Sequence, residues 1–103
     1  MPRVIQSVLK EELTNSRRMV RRYDESLRRL GKGSLVAKRI RGHQYYYLAY
    51  REGPKVHFRY LGKLSSPQHK TWVARHRQRG QYRRLLREAK RQIVFLERSL
   101  RYT

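Results

Sequence analysis

GSLVAKRIRGHQYYYLAYREGPKVHFRYLGK, residues 33–63, is the stretch on which the reading of this chain turns. β-Branched and aromatic residues crowd it. Turn residues recur at Gly42 and at Gly53–Pro54, the pattern of short strands joined by tight hairpins. The spacing predicts three strands, about Leu35–Arg41, Gln44–Arg51 and Lys55–Leu61, in an antiparallel meander. Alternation then sorts the side chains. In the second strand Tyr45, Tyr47 and Ala49 share one face and Tyr46, Leu48 and Tyr50 the other. In the third, Val56, Phe58 and Tyr60 alternate with Lys55, His57, Arg59 and Leu61. By apolar content the Val56 face is expected to be buried and the Lys55 face basic and wet. Tyr45, Tyr47, Phe58 and Tyr60 then read as cross-strand core pairs packed on helices. Tyr46 and Tyr50 are left as the exposed rings, able to stack on bases.

On both sides of this stretch the period changes to that of a helix. Upstream, Leu9, Leu13, Ser16, Val20, Tyr23, Leu27 and Leu30 alternate spacings of four and three, a narrow apolar seam with one polar member, Ser16. Gly31 follows the seam where a left-handed cap belongs. Downstream, Tyr82, Leu86, Ala89, Ile93, Leu96 and Leu100 repeat the pattern. Ser65 or Ser66 suits an N-cap, Pro67 the first turn, and Gly80 a kink or interruption. Two seams this narrow need partners. The expected fold is therefore α+β: helices at about 4–30 and 66–101 forming an antiparallel coiled-coil-like hairpin, with the meander at about 35–61 between them, in a single domain spanning 1–103. A homodimer of coiled coils is the alternative.

The charge is the loudest compositional signal. Among 103 residues, 27 Lys and Arg stand against 7 Asp and Glu, a formal net charge of +20. Such self-repulsion asks for a polyanionic partner, and nucleic acid is the commonest. Mean hydropathy is −0.97, and no apolar run approaches the ~18 residues of a spanning helix, so no membrane association is expected. Nor does the start of the chain read as a signal peptide. Without Cys there is no disulfide, thiolate metal site or thiol nucleophile. A cytoplasmic protein, associated with nucleoid or ribonucleoprotein, is the corresponding expectation.

Chemistry beyond binding finds little footing. His43, His57, His69 and His76 form no i,i+4 pair or HExxH, so no metal site is expected. Glu11–Glu12 and Asp24–Glu25 are helix neighbours about 100° apart, not the converging carboxylates that two-metal nuclease chemistry needs. Gly31–Lys32–Gly33–Ser34 lacks the spacing of a phosphate-binding loop. Neither an enzyme nor a cofactor is expected. The residues expected to hold nucleic acid are instead the basic ones. Lys38, Arg39, Arg41, His43, Arg51, Lys55, His57, Arg59 and Lys63 surround the sheet, which as a ribbon fits a major groove where Arg can bond guanine. Tyr46 and Tyr50 add rings. On the second helix Arg75, Arg79, Arg83, Arg84, Arg87 and Arg91 are set against few acids, and Arg17, Arg18, Arg21 and Arg22 repeat the theme on the first.

The Gly33–Val36 entry after a long helix, Tyr45–Leu48 (YYYL), Arg59–Lys63 (RYLGK) and a second long helix together resemble a small bacterial and archaeal family of unknown function. In that family two long helices flank a short β-hairpin or meander. Many of its members carry two Cys in the first turn. Here that turn is Arg41–Gly42–His43–Gln44, so a metal-binding role does not carry over. The meander is also similar to the three-stranded arm-site DNA-binding domains of phage-type recombinases, which implies a sheet that enters the major groove. The expected function is a small, basic, non-enzymatic nucleic-acid-binding protein, with duplex DNA favoured over RNA. The alternative is an accessory or inhibitory protein, phage- or mobile-element-related, docking on a larger nucleoprotein machine of the CRISPR-effector or ribosome type.

Overall fold

A computed structural model of the chain describes residues 2–102, which run α1 (Arg3–Leu30), β1 (Ser34–Ile40), β2 (His43–Glu52), β3 (Lys55–Gly62) and α2 (Ser66–Arg101). The fold class is the expected one, two long helices flanking a three-stranded antiparallel meander of order β1-β2-β3. By contact the chain divides into two compact units. One is α1 up to Arg29 together with α2 from Gln81 onward; the other is the continuous stretch Leu30–Gly80.

In the helical unit the two seams meet. The Arg17 Nη2 to Glu97 Oε1 distance is 3.4 Å, and the Tyr23 and Tyr82 rings lie 6.1 Å apart between centroids. Moving up α1 thus means moving down α2, so the pairing is antiparallel. Leu13, Ser16, Ala89 and Leu96 are its buried residues. Ser16 lies seven residues before Tyr23 and Ala89 seven after Tyr82, which sets these two small side chains at the same level. Small residues there let the helix backbones approach closely. The one polar member of the seam, Ser16, is only 2% exposed.

The other unit is built on the sheet. Arg41 (φ 52°) and Gly42 (φ 81°) both adopt left-handed backbone, as a two-residue type I′ hairpin requires. Opposite β2, the register slips between Tyr46 and Tyr47: Tyr46 faces Gly62 and Tyr47 faces Tyr60, leaving Leu61 as the extra residue of a bulge. α2 starts on a reciprocal cap. The Gln68 amide donates to Ser65 Oγ at 3.3 Å, and the Ser65 amide donates to Gln68 Oε1 at 2.9 Å. Pro67 falls in the first turn, where amides have no helical acceptor. The helix then runs through Gly80 without the expected interruption.

One expectation is reversed. The sheet face that α2 covers within this unit is that of Leu48, not that of Val56. Leu48 is 7% exposed and pairs with Leu35. Leu35, Ala37 and Tyr46 share a recess with His69, Trp72, Val73 and His76 of the helix, and the Tyr46 and His69 rings are 5.3 Å apart. Val56, Phe58 and Tyr60 are 51%, 63% and 58% exposed. Register supplies the reason. The Leu35–Leu48 pair is the aliphatic contact on which a helix can close-pack. The charges Arg39, Lys55 and Arg59 share that face but stay exposed, beyond the strip that the helix covers. The basic side of β3 is thus the one that faces the helix, and its apolar side is the open one.

Gly33 and Arg79 tie this unit together. Gly33 has φ 117°, and a Cβ on it would come within 2.7 Å of the Leu48 side chain and 3.1 Å of the Ala49 carbonyl oxygen. The buried Arg79 of α2 donates from Nη1 to the Gly33 carbonyl.

Candidate nucleic-acid interface

The outward face of the sheet follows from the strand register. β1 places Val36, Lys38 and Ile40 there, β2 His43, Tyr45, Tyr47, Ala49 and Arg51, and β3 Val56, Phe58 and Tyr60. Tyr60 sits at the centre of a ring cluster. Its centroid is 5.3 Å from that of Tyr47 and 6.4 Å from that of Tyr45, with the planes inclined by 54° and 36°. The rings tilt against one another, leaving parts of their π-faces open. Lys63 Nζ lies 5.8 Å from the Tyr45 ring centroid, close enough for a cation–π contact. Lys38 pairs across the strands with Tyr45, and beside it Val36, Tyr47 and Phe58 line a shallow recess. Among the described residues, no acid falls on this face.

The basic residues singled out from the sequence are thereby divided. Lys38, His43 and Arg51 share the aromatic face, with Lys63 beside it. Arg39, Lys55, His57 and Arg59 belong to the other face, and Arg41 stands in the first turn. The two rings expected to be free are engaged. Tyr46 packs on His69 and its hydroxyl donates to Gln44 Oε1 at 3.1 Å. Tyr50 stacks on His57 at 5.5 Å between centroids, and His57 Nε2 lies 3.7 Å from Glu52 Oε2. The exposed rings Phe58 and Tyr60 are the ones the sequence reading assigned to the core. The signal that finds them is the cross-strand match of Leu35 with Leu48, which fixes the buried parity and so the outward one.

The helices carry a different chemistry. In the sheet unit, the Arg75 guanidinium lies 4.9 Å from the Trp72 ring centroid and stays exposed. Arg79, grouped with the phosphate binders by sequence, is buried on the Gly33 carbonyl and serves the fold. In the helical unit Arg83, Arg84, Arg87 and Arg91 are all exposed, as are Arg17, Arg18, Arg21 and Arg22. Arg17 pairs with Glu97, and Arg29 with Glu25. Both pairs are exposed and contribute little. Among the described residues no three His, Asp or Glu side chains gather closely enough to hold a metal. No helix among them is long and apolar enough to cross a membrane.

These features define a class: small, strongly basic helix–meander–helix proteins with one aromatic sheet face left open. The chain belongs to the family DUF6788, a domain of unknown function whose family model matches residues 5–71. The match takes in nearly all of α1, the whole sheet and the capped start of α2. No curated protein and no solved structure matches the chain.

Proposed function

We propose that this chain is a non-catalytic nucleic-acid-binding protein that holds its partner chiefly by the phosphate backbone. The observation that carries this reading is the run of exposed arginines on α2, Arg83, Arg84, Arg87 and Arg91, in a chain of net charge +20 whose few acids neutralise almost none of them. A solvated helix normally mixes signs for i,i+4 pairing. A face of one sign attracts a polyanion and releases its counterions on binding. Arginine suits this role because its planar fork can meet two phosphate oxygens at once.

The test is a salt series of anisotropy titrations against duplex DNA, single-stranded DNA, duplex RNA and hairpin RNA, with wild type and the Arg83, Arg84, Arg87, Arg91→Gln quadruple variant. Wild-type affinity should fall linearly in log–log form with salt. The variant should bind more weakly, its slope shallower by about 0.7–0.9 for each phosphate that it no longer neutralises. An unchanged slope, or no binding at 50 mM salt, would overturn the reading. The duplex DNA arm also tests the likeness to recombinase arm-site domains and their major-groove sheet.

A second reading, docking on a larger nucleoprotein assembly, has one observation in its favour. Val4, Ile5 and Val8 on α1 and Phe95 on α2 are large apolar side chains left exposed. Saturable binding to such an assembly that survives high salt would support it over the first.

A further inference from the structure

We infer that the outward sheet face is a stacking platform for the unpaired bases of a structured RNA, with Phe58, Tyr60 and Tyr47 as its rings and Lys38 and Lys63 as its phosphate contacts. The inference rests on the nucleic-acid reading above and assigns the sheet a separate part in it.

Three observations lead there. Phe58 and Tyr60 are more than half exposed, although burial normally claims side chains of this size. The ring cluster is spread by inclined planes and centroid spacings of 5.3 and 6.4 Å, so each ring can receive a partner. Cations and no acids accompany the rings: Lys38 and Arg51 on the face and Lys63 beside it. A ligand complementary to this surface has flat apolar faces and regularly placed negative charge. Unpaired nucleotides have both.

The same features weigh against other occupants. Two copies meeting through this face would bring like charges together with no acid between them, which costs affinity. In duplex DNA the base faces are stacked away, and only the base edges can be read by hydrogen bonding. Here the long donors are few, and rings occupy the middle of the face. RNA is favoured over single-stranded DNA because one folded RNA offers both things this chain asks for. Its paired stems supply dense phosphate for the arginines, and its loops display splayed bases for aromatic side chains.

The experiment uses the full chain and three probes: a hairpin RNA with an eight-nucleotide loop carrying 2-aminopurine, a blunt RNA duplex of the same stem, and single-stranded DNA of the loop sequence. Phe58→Leu and Tyr60→Leu keep apolar bulk and remove the ring; Tyr60→Phe keeps the ring and removes the hydroxyl. Loss of one stacked base corresponds to roughly a 5- to 150-fold change in affinity. Each Leu variant should weaken hairpin binding within that range and relieve the quenching of 2-aminopurine. Blunt-duplex affinity and the salt slope should stay at wild-type values, and Tyr60→Phe should behave as wild type. Should Tyr60→Leu disturb the ring cluster enough to unfold the sheet by circular dichroism, Phe58→Leu alone carries the test. Equal losses on hairpin and blunt duplex, or none on the hairpin, overturn the inference. So does single-stranded DNA bound more tightly than the hairpin with the same ring dependence, or a ring variant that changes the oligomeric state in place of RNA affinity. If wild type binds none of the probes, the nucleic-acid reading itself has failed, which is a different result from ring variants that bind like wild type.

Discussion

Gly33 shows how much of this fold hangs on one backbone position. Its φ of 117° lies where side chains are strained, and its carbonyl accepts the buried Arg79 guanidinium. A methyl group there would also meet the Leu48 side chain at 2.7 Å. Overpacking and backbone strain add, so Gly33→Ala should destabilise the chain by about 2–4 kcal/mol, read as a lower midpoint in urea unfolding. Gly42 bears a milder constraint, since nothing lies within 4 Å of a Cβ placed on it. Arg79 marks the limit of what its residue type reveals. From the sequence it is one more arginine in a basic run, and the bond that distinguishes it joins residues 46 apart.

At the scale of elements, the cap of α2 is the clearest local determinant. Ser65 and Gln68 satisfy two amides reciprocally, so Ser65→Ala should cost about 1 kcal/mol, with Ser65→Asp retaining most of it; chemical denaturation of the two variants checks both. A cap at Ser65 or Ser66, the two helical seams and the two hairpin turns were legible in the sequence because each depends on residues a few positions apart; that Gln68 completes the cap was not read from it. The seam spacings place both helices, and Arg41–Gly42 and Gly53–Pro54 place the strand ends to within a residue or two. Which face of the sheet is buried was not legible in the same way. Each strand offers two faces, and the choice depends on what packs against them. Phe58 and Tyr60 are apolar enough for a core, yet α2 packs on the Leu35–Leu48 side. The candidate site moved with that choice. The rings expected to be free, Tyr46 and Tyr50, are held by His69 and His57, and the open rings are their neighbours of opposite parity.

For the molecule as a whole, charge and core size pull in opposite directions. Only Leu13, Leu48, Ala89 and Leu96 are buried apolar residues among those described, while the net charge is +20. Like charge opposes compaction, and salt screens it over about 10 Å at 0.1 M. Raising salt from 50 to 500 mM should therefore raise the Tm, by about 4–8 °C for each kcal/mol of repulsion relieved. A flat or falling Tm in calorimetry would mean that charge repulsion does not limit the stability of this fold. On the proposed function salt then acts in opposite senses, strengthening the fold while weakening the grip on phosphate.

The division into units sets an order of events during synthesis. Leu30–Gly80 is one unbroken stretch of chain, whereas the helical unit joins segments on either side of it. On the ribosome α1 emerges first, and its seam has no mate until the stretch from Gln81 follows, some 50 residues later. At about 5–20 residues per second that is roughly 3–10 s. The sheet hairpins, which close in microseconds, can form in that interval, so the meander can be in place before the helices have met. Nascent chains from which Gly80 has just left the ribosome would present the aromatic face complete and the apolar stripe of α1 bare, a state that chaperones recognise.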